Sequence, residues 1–272
     1  MESGSEFILN KIKLLQDEIN SFKYNSNDVR DYFYGMLQSN LVSYARGYLF
    51  LEISKNIKSN ALPVPQDIIS YRQFDLITKS SETFKNEVAY LSHYHRNLLI
   101  SSWSSFELLI TSVCETLLDP ITKELLLTSN FDDIIKKLKI PDNKEREKFS
   151  VKRLTHVPIS RKYSELFKLG KKEYSRDIKV DKKFLEFFRD FRNTIHTNFI
   201  YYGTDNKEFK FTEITFKFNK EKVVGWNDPF PLSPELYLNL IFELKNITTS
   251  LLNFIDHKDV ILYPDLEAQN FD

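Results

Sequence analysis

The sequence predicts a mostly α-helical protein with long helices and one β-hairpin inserted before the last helix. Three observations carry this. Glycine is scarce, with 6 in 272 residues, and Lys, Leu, Glu and Phe abound, a composition that favours helix. Apolar residues recur at helical spacing along most of the chain. One stretch, Glu208–Phe218, instead alternates apolar and polar residues with the strand period. Hydrophobic residues reach 42%, so a substantial core is available, and the 23 Phe and 14 Tyr would carry much of its burial. The chain divides into an N-terminal helical region, 1–78, that packs on a helical domain, 79–257, with a tail at 258–272.

The first helix spans 8–24, with Ile8, Ile12, Leu15, Ile19 and Phe22 in one stripe. The preceding Met1–Phe7 has the composition of a cloning remnant and carries no weight in the fold argument. Tyr24–Asn27 is a turn, and Asn27 or Ser26 supplies a cap for a long helix over 28–58. That helix presents Phe33, Tyr44, Tyr48 and Phe50, while Gly35 and Gly47 either weaken it or permit close packing. Leu62–Pro65 ends it, and 66–78 is a connector. A second long helix covers 80–118 and stops at Asp119–Pro120. Shorter helices follow at 121–128, 131–138 and 160–168, around a charged loop at 139–158. A further helix covers 181–200, capped by Asp181. Within 208–218 the two phases of alternation meet at Thr212–Glu213, which requires a bulge or break. Asn219–Lys222 is the turn, and Val223–Trp226 returns as the partner strand. Ser233–Pro234 starts the last helix, with Leu236, Leu240, Leu244, Ile247 and Leu251 in its stripe.

Charge and cysteine content narrow the function. Lys+Arg and Asp+Glu balance at 38 each, which argues against a chain that coats long nucleic acids. Locally the balance fails: Asp142–Asp177 holds eleven Lys/Arg against six acids. That excess is either a solvated surface or a patch that docks a polyanion. The single Cys114 rules out an internal disulfide, fits a reducing cytoplasmic compartment, and sits in an apolar helical pattern as a core residue. No apolar run is long enough for a membrane span, and no signal peptide is visible.

The richest segment is Phe184–Asn198. Arg189, Arg192, Asn193 and His196 have the spacing of one helical face, beside an apolar stripe of Phe184, Phe188, Phe191, Ile195 and Phe199. Two guanidiniums and a titratable imidazole suit a phosphate-bearing ligand. Cleaving RNA without metal needs a group to take the ribose 2′-hydroxyl proton and positive charge on the phosphate. His196 can exchange that proton, Arg189 or Arg192 can grip phosphate oxygens, and Asn193 can orient the imidazole or the ribose. The same strip also fits a purely structural role, bracing neighbouring helices.

An Arg followed by a polar residue and then, after four to six residues, a His on a helix resembles the HEPN superfamily. Arg189-Asp190 with His196 leaves six intervening residues; Arg192-Asn193 has the favoured Asn but leaves three. The run from Arg192 through Tyr202 also looks like bacterial HEPN-like proteins in which a hairpin and a last helix follow. The resemblance covers about 80–120 and 180–256. It implies a metal-independent endoribonuclease of a prokaryotic defence or toxin system, with Arg189, Arg192, Asn193 and His196 catalytic and the site formed across a homodimer. It implies RNA as substrate, no cofactor, and a protein partner such as an antitoxin. Non-catalytic members exist, so a helical RNA- or protein-binding adaptor is the alternative.

Further residues join as substrate-binding candidates. His93, Arg96 and Asn97 share a face early in the 80–118 helix, and HEPN-like domains pair such a helix with the motif helix. Asn198 closes the motif segment. Glu107 lies in an apolar run, where a carboxylate needs a partner, and an arginine of the motif helix is one candidate. Two His two residues apart on a helix do not face one metal, so no zinc site is expected. No Gly-rich phosphate loop or hydrolase motif occurs.

Overall fold

In the computed structural model, residues 4–58, 63–64, 87–127, 157–226 and 233–263 are described. Helices run over Gly4–Ser21 (α1), Val29–Lys58 (α2), Glu87–Leu117 (α3), Ile159–Leu169 (α4), Ile178–Ile195 (α5) and Pro234–Leu252 (α6), and residues 120–127 are also helical. Short strands lie between α5 and α6: Ile200–Tyr201 (β1), Lys207–Phe211 (β2), Ile214–Phe218 (β3), Lys222–Val223 (β4) and Gly225–Trp226 (β5). The chain is therefore mostly helical, with a hairpin before the last helix. The expected connector at 66–78 and helix at 131–138 lie outside the described residues. So does most of the charged loop at 139–158. No helix among the described residues is long and apolar enough to cross a membrane.

The chain falls into two compact units, each drawn from three stretches. One comprises Met1–Lys23, Phe33–Ser104 and Phe187–Asn246. Its core contains the α1 stripe of Ile8, Ile12, Leu15 and Ile19, with Phe33, Tyr44 and Tyr48 of α2 and Leu236, Leu240 and Leu244 of α6. Each such side chain contributes about 1.5–3 kcal/mol on burial. Lys11 pairs with Glu235 at 3.0 Å and Lys245 with Glu18, so two ion pairs join α1 to α6. Gly47 permits close packing: a Cβ there would lie 2.6 Å from the Tyr94 ring. A Cβ at Gly35 would meet nothing within 4 Å.

The strands of this unit differ from the sequence expectation in one respect. Of the bulge or break expected within 208–218, the chain takes the break, and the break reverses its direction. The phase break at Thr212–Glu213 is a two-residue turn, and β2 and β3 pair antiparallel across it, with Phe209 opposite Phe216 and Phe211 opposite Ile214. Thr212 takes a positive φ of 53° to make that turn. The second turn falls at Asn219–Lys222 as expected, where Lys222 N donates to Asn219 O at 3.0 Å. Beyond it, β4 pairs with β1, and β5 pairs with β3.

The other unit comprises Tyr24–Tyr32, Ser105–Glu186 and Ile247–Asp272. Asp28, not Asn27 or Ser26, caps α2: its Oδ1 accepts from Arg30 N at 2.8 Å. The same carboxylate pairs with the Arg30 guanidinium at 2.8 Å, both fully buried. Arg30 then donates to the carbonyls of Asp256 and Asp259, and Ile261 N donates to Asp28 at 3.2 Å. Removing either partner of such a pair leaves a bare buried charge and costs about 3–5 kcal/mol. Cys114 is a core residue, with burial pushing its thiol up to about 12. Asp177, rather than Asp181, caps α5, accepting from Lys179 N at 2.8 Å and Val180 N at 3.2 Å. Asp181 is buried instead, bound by Arg176 at 2.8 Å and by the Tyr174 hydroxyl.

Candidate functional site

The C-terminal half of α5 is fixed by its aromatic face. Phe187 stacks on Phe209 at 4.3 Å, Phe191 packs on Phe216 at 5.2 Å, and Phe188 stacks on Trp103 at 5.5 Å. With those rings seated on the sheet and on α3, Arg189 is left half-exposed and Asn193 exposed. The expected extent of 181–200 does not hold, because α5 ends at Ile195. Thr194 O accepts from Thr197 N at 3.0 Å and from Phe199 N at 2.6 Å. Asn198 and Phe199 adopt positive φ of 54° and 64°, a left-handed stop to the helix. The chain then turns into β1, where Val224 N bonds Phe199 O at 2.9 Å and Glu221 N bonds Tyr201 O at 2.7 Å.

This local break opens a cavity of about 450 Å³. Its wall includes Arg189, Asp190, Asn193, Thr194 and Thr197 from the end of α5, then Ile200–Asp205, and Lys207 from β2. Asp190 is the electrostatic centre. Arg189 Nε donates to its Oδ1 at 2.9 Å, and Lys207 Nζ pairs with its Oδ2. Lys207 also sits over the Tyr201 ring at 5.3 Å. Burial holds the Tyr201 hydroxyl above the usual phenol range, with the Arg189 charge acting the other way.

Comparison with family models, curated proteins and solved structures gives no match to this chain.

Of the catalytic candidates, Arg189 and Asn193 line the cavity, while Arg192 and His196 are not among its lining residues. Arg192 is half-buried and donates from Nη1 to Asn193 Oδ1 at 3.0 Å. His196 lies one residue past the helix end, exposed in the turn, and Asn198 is exposed beside it. Asn193 thus belongs both to the cavity wall and to the pair with Arg192.

The face on α3 divides. Arg96 places its guanidinium over the Phe199 ring at 5.4 Å, which brings it to the turn that follows the motif helix. His93 and Asn97 bond each other at 2.9 Å and line a separate cavity of about 420 Å³ with Asn40, Ser43, Tyr44 and Tyr94. Glu107 is half-buried in the other unit. Burial lowers the Lys162 ammonium pKa, and Glu107 is among the charges that oppose this shift. Among the described residues no group of three or more His, Cys, Asp or Glu is placed to hold a metal ion.

Two features lay outside the sequence reading. Tyr201, Tyr202, Gly203 and Lys207 complete the cavity from a loop and a strand, where the sequence named no candidate site residue. His95 is buried, stacked on Tyr237 at 3.9 Å and hydrogen-bonded to the Tyr44 hydroxyl at 2.9 Å. Its burial lowers the imidazole pKa to about 3. The signal for it was present: His95 shares the apolar phase of Leu91, Leu98 and Leu99.

Proposed function

We propose that this chain is a metal-independent endoribonuclease of the HEPN type, working as a homodimer in a prokaryotic defence or toxin system within the cytoplasm. The observation that carries the reading is an exposed imidazole, His196, one turn beyond an Asn193–Arg192 pair. No hydrogen bond or ion pair to His196 is found among the described residues. An exposed imidazole that no carboxylate has claimed is open to a ligand.

In this reading His196 takes the proton from a ribose 2′-hydroxyl. The 2′-oxygen attacks phosphorus, and the bond to the 5′-oxygen breaks. That leaving oxygen receives a proton from the equivalent imidazole of a second copy. The products are a 2′,3′-cyclic phosphate and a 5′-hydroxyl. Arg192 or Arg189 meets the charge that builds on the phosphate, and Asn193 orients the ribose. General acid–base catalysis of this kind is worth about 10²–10⁴-fold.

The test is RNA incubated with EDTA, comparing the intact chain with His196→Ala. The expected result is cleavage by the intact chain and a loss of about 10²-fold or more in the variant. Equal cleavage by both, or by neither, overturns the catalytic claim.

A second reading, a non-catalytic helical adaptor for RNA or protein, rests on a different observation. Asp190 neutralises part of the positive charge that Arg189 and Lys207 bring to the site. Light scattering of the chain alone and with RNA separates the two: a monomer under all conditions disfavours a composite site and supports the adaptor.

A further inference from the structure

We propose that the cavity beside the end of α5 holds one nucleotide of a single-stranded RNA, its base stacked on Tyr202 and its phosphodiester on Arg189 and Lys207. The inference rests on the ribonuclease reading for its substrate and names the strand state that the enzyme would select.

Size comes first. A volume of about 450 Å³ suits one nucleotide, within the roughly 300–1,000 Å³ of small-ligand sites. Charge comes second. Asp190 gathers its neighbour Arg189 and Lys207, which lies 17 positions beyond Asp190 in sequence, into one cluster. Their side chains remain 30% and 38% exposed, so both can still meet a ligand. The cluster carries one net positive charge, and a phosphodiester carries one negative charge. Asp205, also in the wall and accepting from Thr204 Oγ1 at 2.8 Å, opposes a second phosphate charge. A diester within a strand is therefore favoured over a terminal phosphate or a pyrophosphate. Because both cations are already held in place, little side-chain entropy is lost on binding.

Shape comes third. Tyr202 is 65% exposed, a large ring left in water at the cavity wall. Every base has a face that stacks on such a ring, so the contact is tolerant of sequence. Its neighbour Tyr201 is the opposite case, buried and folded over Gly203, where a Cβ would collide with the Tyr201 hydroxyl. Glycine at 203 thus lets one tyrosine close the wall while the next faces solvent. A base in a duplex is already stacked and paired on both sides, so this geometry selects unpaired RNA.

The experiment uses the full chain carrying His196→Ala, so that the strand survives. Fluorescence anisotropy reads binding of a labelled single-stranded adenosine oligoribonucleotide, and of the same strand annealed to its complement. Tyr202→Ala is expected to weaken single-strand binding about tenfold or more, while Tyr202→Phe stays within about twofold. Lys207→Gln, which can still donate to Asp190, should flatten the salt dependence by about one counterion. The duplex should bind more weakly than the single strand. Tyr202→Ala binding like its parent, or a duplex binding as tightly as the single strand, overturns the proposal. Inorganic phosphate competing as well as the strand would also overturn it, by reducing the site to an anion pocket. The outcome is separable from the nuclease test. Tyr202-dependent binding without cleavage keeps the site and removes the nuclease. Cleavage unchanged by Tyr202→Ala in the otherwise intact chain keeps the nuclease and removes the site.

Discussion

At the scale of single residues, burial separates the exposed imidazole of His196 from the enclosed one of His95. His95 is enclosed between Tyr44 and Tyr237, whose own hydroxyls burial holds above the usual phenol range. Its folded pKa of about 3 lies well below the ordinary value of 6.5. Between these values the unfolded chain binds a proton that the folded chain refuses. Stability is therefore whole above about pH 6.5 and falls as the pH drops, on the order of 1 kcal/mol per pH unit. Thermal melts at about pH 7.5 and about pH 5 should show a steeper loss for the intact chain than for His95→Phe, whose side chain cannot titrate. Equal slopes would mean that the ring reaches water. The sequence displayed both histidines in conspicuous polar runs, and only phase separates them. His95 repeats the helical register of buried leucines, whereas His196 follows Ile195 at a helix end that the periodicity ran straight through. Arg189 and Asn193, which line the cavity, were legible as polar residues of one helical face, but the same spacing also put Arg192 and His196 there, and these lie outside its wall. Tyr201, Tyr202 and Lys207 were not legible, because a loop and a strand bring them in, and no local period encodes that approach.

The elements show what pattern can and cannot specify. Among the described residues the apolar stripes gave the helices to within about five residues at their ends, and Ser233 caps α6 as its place before Pro234 implied, with Leu236 N bonded to its hydroxyl at 3.2 Å. Turns with ordinary chemistry were legible; turns built from the wrong residues were not. The β2–β3 turn uses Thr212 at positive φ, where a β-branched residue is strained and glycine is the usual occupant. Thr212→Gly should therefore stabilise the fold by about 1 kcal/mol, read as a rise in the denaturation midpoint at unchanged slope. A lower midpoint would show that the threonine contributes more through its own contacts than the strain costs. Phe199 poses the same difficulty at the end of α5. Asn198 is a recognisable left-handed residue, but a phenylalanine in that region follows no local preference. It is held by its place in the fold, with the Arg96 guanidinium over its ring and the Thr194 carbonyl on its amide. For the same reason the two phases of 208–218 showed that something interrupts the strand but not that the interruption reverses it.

For the molecule as a whole, a net charge of zero is a balance of 38 against 38, and Asp190 repeats that balance on a small scale. Replacing it with Asn would keep the shape and remove the one acid that both cavity cations share. Nucleic-acid binding at low salt should then tighten by roughly tenfold, with a steeper salt dependence, since two cations gain freedom to meet phosphates. The gap between single strands and duplexes should narrow, keeping the part that stacking on Tyr202 supplies; anisotropy titrations with both would show this. Affinity that stays level would mean that Asp190 does not restrain the cations. A shared acid of this kind behaves like a governor on an engine. In the proposed reading it holds the surface below the grip that its cations could exert, so that a passing polyanion is released unless an unpaired base finds its seat.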